Sequence, residues 1–305
     1  MLQALTGLVV IAVPIAVGYL AARMGPFGAD SVRMFNLLAF YVLIPFLLFS
    51  LMATANLHTL FSTRALVSGL AAVAMFAAYA LIGKFVFHET RGPITVGALA
   101  SGYTNANFIG LPIATHLLGD ATLVAPVILM QTALFAPVAL TILESCTGGK
   151  QPWWKTIMHG VLNPIVLASV GGLAISLLGV QLPQIILEPL KLIGNGAIPV
   201  VLIAFGISLR GRKLLTKGSR RRETVTAVLL KSVGMPLTAF ALGHAFGLDA
   251  HGIYTVTMLA GLPAAQNVFN YASRYNQSLI LARDSLSLTT LATPAVVLVI
   301  AALLG

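Results

Sequence analysis

The sequence predicts an all-α polytopic membrane protein with ten transmembrane helices arranged as a 5+5 inverted repeat, helices four and nine being broken. Three observations carry this. Apolar runs of bilayer length recur ten times, Lys and Arg gather in alternate connections, and each half holds one amide-rich interruption inside an apolar run. Of 305 residues, 58% are hydrophobic and 9% charged, with a mean hydropathy of +0.95. A soluble domain carries roughly a quarter charged residues, so a soluble protein with a large core is excluded.

Crossing about 30 Å of hydrocarbon takes roughly 20 residues of helix. The runs of that length are 2–22, 32–53, 63–86, 93–118, 121–145, 157–179, 183–208, 223–247, 250–273 and 280–304. The first has no basic leader segment and no small-residue cleavage site, so it reads as a retained span. Arg23-Met24-Gly25-Pro26 and Glu89-Thr90-Arg91-Gly92-Pro93 read as turns at the membrane surface.

Fifteen of the 18 basic residues fall in connections 1–2, 3–4, 5–6, 7–8 and 9–10: Arg23, Arg33, Lys84, Arg91, Lys150, Lys155, seven between Arg210 and Arg222, Arg274 and Arg283. Cytoplasmic connections hold the positive excess, which places both termini outside the cell membrane. The 210–222 cluster needs no nucleic acid to explain it; a topogenic loop suffices, and the net charge of +10 is accounted for. The halves repeat weakly: Pro14 and Pro164, Pro45 and Pro199, and Pro137 and Pro294 lie 150 to 157 residues apart. An odd number of spans per repeat turns the second half upside down, the construction of many secondary transporters. The expected repeats are 1–147 and 157–305, joined by a short cytoplasmic linker at 148–156.

The interruptions are SGYTNANFIGLPIATHLLG at 101–119 and AGLPAAQNVFNYASRYN at 260–276. Amides in hydrocarbon are costly unless protein or cavity water satisfies them, so polar, irregular backbone at that depth lines a site. Aligning the two places the breaks near 103–107 and 262–266. The candidate substrate-binding residues are Thr104, Asn105, Asn107, Gln266 and Asn267, with Gly102, Pro112, Gly261 and Pro263 as candidate crossover or hinge positions. Asn105 and Asn107 cannot share a face of an unbroken helix. An opened backbone lets both reach one cavity, where the N–H groups of the next half-helix favour an anion. The alternative is that these amides only tie helices together.

With these residues located, three blocks resemble the auxin efflux carrier family, whose bacterial branch includes malonate permeases. They are MFNLLAFYVLIPFLLFSLM with Asn36 and Pro45, YTNANFIGLPIATHLLG, and GLPAAQNVFNYASRYN. The resemblance implies that broken helices four and nine cross at mid-membrane, as in NhaA-type antiporters and bile-acid symporters. It also implies scaffold helices 1, 2, 6 and 7 that often form a homodimer, and transport helices 3–5 and 8–10 moving organic anions by an elevator-type shift. Asn105 and Pro263 occupy the family's Asn and crossover Pro positions. Thr104 replaces the family's first proline, Val268 a second one of the plant members. No charge lies between Arg64 and Lys84, where plant members carry an acid and a base.

Lys231 lies within span eight, either lining the inner cavity as an anion-binding residue, holding a salt bridge or snorkelling to the surface. Lys191, beside Glu188, reads as interfacial. The eight acids, Asp284 included, fall at or near expected span ends, which weighs against a buried proton- or cation-binding carboxylate. His116 and His244 read as structural, and Cys146 as a small filler. No metal-ligand spacing, nucleophile–base set, Walker loop or dinucleotide fingerprint is present, so no cofactor, no metal and no enzyme activity is expected. The functional expectation is a secondary or facilitated transporter of a small organic anion, mono- or dicarboxylate and malonate-like. A Na⁺- or H⁺-coupled symporter of the bile-acid type is the alternative.

Overall fold

The structure is a computed structural model that describes residues 2–25, 27, 29–54, 62–146, 162, 164–210 and 220–305. The expected linker 148–156 and the basic residues Arg212, Lys213 and Lys217 lie outside the described residues. The described residues are all-α, 84% of them helical. The helices are α1 (Leu2–Arg23), α2 (Ala29–Leu38), α3 (Ile44–Ala53), α4 (Thr63–Phe85), α5 (Arg91–Gly102), α6 (Leu111–His116), α7 (Ala125–Met130) and α8 (Ala136–Cys146) in the first half. The second half holds α9 (Pro164–Leu177), α10 (Gln184–Asn195), α11 (Ala197–Ser208), α12 (Arg221–Leu229), α13 (Met235–Ala245), α14 (Ala250–Ala260), α15 (Gln266–Arg274) and α16 (Leu279–Leu304). Among the described residues, five continuous stretches are long and apolar enough to cross a membrane: Asp30–Ala53, Thr63–Phe85, Gln184–Ser208, Arg221–Ala245 and Leu279–Leu304. They coincide with expected spans two, three, seven, eight and ten.

Among the described residues, four wide π-helical turns interrupt the helical path, at Ala39–Leu43, Ala106–Gly110, Gln131–Phe135 and Leu230–Gly234. Each ends two residues before a proline: Pro45, Pro112, Pro137 and Pro236. Proline offers no N–H and its ring pushes against the carbonyl four residues back. The amide just before it compensates by reaching one residue further. Ile44 N–H bonds Ala39 O, Ala136 N–H bonds Gln131 O, and Met235 N–H bonds Leu230 O. The turn widens where a regular ladder is blocked.

The chain divides into two compact units, the first made of Met1–Phe61, Asn107–Leu129 and His159–Arg212. Here α1 packs on α11, and α3 on α9 and α10. Lipid supplies no hydrophobic pull between helices, so close backbone approach must hold them together. Glycines permit it. A Cβ on Gly206 would strike Ile15 O, one on Gly18 would strike Ile203 O, and one on Gly194 would lie 2.6 Å from Leu47 Cα. Arg210 closes the end of α1 by donating from Nη1 to Ala22 O. Gly206→Leu is therefore expected to force α1 and α11 apart, costing about 1–3 kcal/mol as overpacking does. A lowered thermal midpoint in detergent checks this.

The second unit comprises Ser62–Ala106, Met130–Met158 and Lys213–Gly305. In it α4 packs on α5, α13 on α4 and α14, and α16 on α12, α14, α15 and α5. Near the 3–4 connection, Arg220 Nη1 meets Glu89 Oε1 at 2.5 Å, and the Tyr79 hydroxyl donates to Glu89 Oε2 at 3.4 Å. The Glu89 side chain is 1% exposed. Burial raises its carboxyl pKa above the ordinary value, opposed by Arg220 and reinforced by Glu223. The folded protein thus holds this proton more tightly than the unfolded chain. The resulting contribution to stability is present at low pH and is lost as pH rises from the unfolded carboxyl value through the raised folded one. Arg220→Ala is expected to extend that loss to higher pH, and Glu89→Gln to flatten it; midpoints measured against pH decide.

Candidate functional site

The two interrupted stretches meet within the second unit. Helix α5 stops at Gly102 and Tyr103 turns extended, while α14 stops at Ala260 and helix resumes only at Gln266. Between these ends, Thr104 and Ala264 form an antiparallel bridge. Asn105 N–H donates to Pro263 O at 2.8 Å, and Ala265 N–H donates to Tyr103 O at 2.9 Å. The extended segments satisfy each other's backbone groups, which answers the requirement that buried amides be paired. A third helix contributes: Ala264 N–H donates to Thr289 Oγ1 of α16 at 3.1 Å.

The sequence around the bridge explains where the chain stops being helical. Pro263 cannot supply an N–H to a continuing helix, and the residue before a proline avoids helical backbone. On the other side Thr104 stands without a proline. Gly102 packs there so tightly that an added Cβ would lie 2.6 Å from the Phe76 ring and 2.7 Å from Ala72 O. Gly261 caps α14 with ordinary right-handed backbone, φ −72°, and a Cβ on it would meet Ile300 Cδ1 at 2.7 Å. Both glycines are thus sites of close packing. Pro112 stands in the first turn of α6, just after a π-helical turn.

Lys231 is fully buried and does not reach the surface. The snorkelling alternative is set aside by its contacts. Its Nζ donates to Ala260 O at 2.8 Å and to Met235 Sδ at 3.1 Å. Ala260 is the last residue of α14, whose end carbonyls lack helical partners and carry the negative end of the helix dipole. An amine there satisfies both needs. Met235 Sδ also receives the Thr104 hydroxyl at 3.8 Å, so one sulfur joins Lys231 to the bridge. Nor does Lys231 form a salt bridge among the described residues.

Of the other predicted residues, Thr104 and Asn105 are buried at the bridge. Gln266 and Asn267 are half-buried and open α15, whose first-turn N–H groups make the positive end of its dipole. The Tyr103 hydroxyl donates to Gln131 O at 3.1 Å and also interacts with the side chains of Asn267 and Tyr271. Asn107 belongs to the first unit, where its Oδ1 is buried without a hydrogen-bond partner. A cavity of about 500 Å³ in the second unit, lined by Ser232, Pro236, Phe240, Thr257, Val296 and Ile300 among others, contains none of the predicted residues. It is an apolar groove between α13, α14 and α16.

Sequence reasoning missed three participants: Tyr103, Met235 and Thr289. The last carried a readable signal, because Asp284-Ser285-Leu286-Ser287-Leu288-Thr289-Thr290 is a hydroxyl-rich run at the start of a span. Asp284 needs correction as well. It was expected at or near a span end, weighing against a buried carboxylate; it is the sixth residue of α16 and 0% exposed. Residues from the helices packed on α16 cover it.

Comparison with known proteins sets the chain among membrane transporters. The model of the family described as "Membrane transport protein" matches residues 3–151 and 153–301. A Rhizobium meliloti protein named "Putative malonate transporter" is 27% identical over 93% of this chain and 90% of its own length. The Escherichia coli "Uncharacterized transporter YfdV" is 25% identical over 85% and 84%, and an uncharacterized transporter of Methanocaldococcus jannaschii is 20% identical over 92% of both chains. These relatives are membrane transporters and not enzymes. With nearly its whole length matched and the three sequence blocks in order, the chain belongs to the membrane transport protein family, that of the auxin efflux carriers.

Proposed function

We propose that this protein is a secondary or facilitated transporter of a small organic anion, a malonate-like mono- or dicarboxylate, working by elevator-type alternating access. The carrying observation is the paired bridge of 103–105 with 263–265, beside the amide side chains of Asn105, Gln266 and Asn267 and the N-terminus of α15. Amides and a helix N-terminus hold a carboxylate by hydrogen bonds and partial charge, strongly enough for capture and weakly enough for release. In this reading the chain has ten spans as two inverted five-helix repeats, spans four and nine being broken and crossing at the bridge. Both termini lie outside, and the scaffold helices mediate any homodimer. The grouping of spans one, two, six and seven in one unit and three, eight, nine and ten in the other supports the scaffold assignment, although Asn107–Leu129 groups with the former. The name of the Rhizobium relative supports the substrate class.

The test is uptake of radiolabelled malonate and other small carboxylates into proteoliposomes. Saturable uptake, competed by unlabelled carboxylates, is expected; failure across the panel removes the anion reading. A second reading, cation-coupled symport, is favoured by the burial of Asp284. Strict dependence of uptake on a Na⁺ gradient separates the two.

A further inference from the structure

Asp284 is entirely buried, on a helix within the second unit. Arg283 Nε donates to its Oδ1 at 2.9 Å, and Arg283 itself is 44% exposed. The other oxygen, Oδ2, is buried with no hydrogen-bond partner. Two more buried oxygens on this helix and on one packed against it share that condition. Ser285 Oγ is the next residue of α16, and Thr224 Oγ1 lies on α12, which packs against α16. Hydroxyls inside apolar helices ordinarily donate to a carbonyl one turn back. Thr289, Thr290 and Thr293 of this same helix do so, bonding Ser285 O, Leu286 O and Thr289 O. Ser285 and Thr224 do not, so their lone pairs and that of Asp284 remain unused in an interior where unmet oxygens are costly.

We propose that Asp284 Oδ2, Ser285 Oγ and Thr224 Oγ1 form a binding site for a sodium ion. The donor set is all oxygen, which suits a hard cation rather than a thiolate- or imidazole-seeking metal. It contains one carboxylate, whose single negative charge a monovalent ion balances and a divalent ion does not. The site also touches the crossover. Ser285 O accepts from Thr289 Oγ1 at 2.7 Å, and Thr289 Oγ1 in turn accepts from Ala264 N–H at 3.1 Å. An ion drawing on Ser285 therefore acts on the turn of α16 that supports the bridge. Coupling of the ion to transport rests on the function proposed above; binding of the ion does not.

The experiment is a thermal shift of the purified full-length protein in NaCl against choline chloride and KCl at constant ionic strength, without carboxylate. A ligand that prefers the folded state raises the midpoint. Sodium is expected to raise it, choline and potassium are not, and the shift is expected to vanish in Asp284→Asn, Ser285→Ala and Thr224→Val. If Asp284→Asn does not fold, the two hydroxyl variants carry the test. Asn105→Ala, which alters the anion site alone, is expected to keep the sodium shift. An equal response to all three salts, a response to pH but not to sodium, or a sodium shift that survives in the variants overturns the proposal. A wild-type sodium shift without uptake of any carboxylate sustains the ion site and removes the transport reading instead.

Discussion

Asn105→Ala is expected to cut carboxylate uptake by one to two orders of magnitude while the protein stays folded. The backbone explains the second half of that result. Asn105 joins the bridge through its main-chain N–H on Pro263 O, which alanine retains. What alanine removes is the side-chain amide. A hydrogen bond to a charged group is worth about 1.5–3 kcal/mol, which is roughly 10- to 150-fold in affinity. The loss should therefore appear as a raised KM for malonate in proteoliposomes. Uptake equal to wild type, with the protein folded, would remove Asn105 from the site. A collapse of the midpoint would instead show that the amide serves only to tie helices together.

Lys231→Met separates charge from packing at the same place. Methionine keeps an apolar stem in the space of the lysine stem, so the change falls on the amine and its contacts. Two terms oppose each other in stability. Removing a charge from mid-membrane relieves about 2.5–3.5 kcal/mol, while leaving the Ala260 carbonyl unpaired costs about 1–3 kcal/mol. They nearly cancel, and the midpoint should move little. Transport should not be spared. Nζ and the Thr104 hydroxyl contact the same sulfur at 3.1 and 3.8 Å, so they are at most about 7 Å apart. At an effective dielectric near 20, a unit charge at that distance is worth about 2 kcal/mol to an anion, roughly 30-fold in affinity. Uptake should fall by about that factor for malonate, and less for a monocarboxylate. Lys231→Ala, which also opens a cavity, should lower the midpoint in addition. Full activity in Lys231→Met would confine this residue to capping α14.

Much of this was readable before any coordinates. Composition alone places the protein in a membrane, because 9% charged residues cannot solvate a chain of 305. The amide-rich interruptions point to the two places where helix stops, since Pro263 and the polar cluster around Asn105 are incompatible with a regular apolar helix. These are local effects, decided by the residue and its near neighbours.

Pairing was not local. Nothing in the spacing of 103–105 and 263–265 says that their backbones bond each other, that Met235 links Thr104 to Lys231, or that Thr289 bonds Ala264. Asp284 shows the same limit from the other side. By position it is a residue near a span end, and only the helices packed around α16 take it out of solvent. Sequence by itself determined the medium, the helical class and the two points of interruption, because hydropathy and backbone chemistry act along the chain. Tertiary structure decided which buried polar groups satisfy one another and which are left over, because that depends on contacts between separate helices, from 25 residues apart for Ala264 and Thr289 to 131 for Thr104 and Met235.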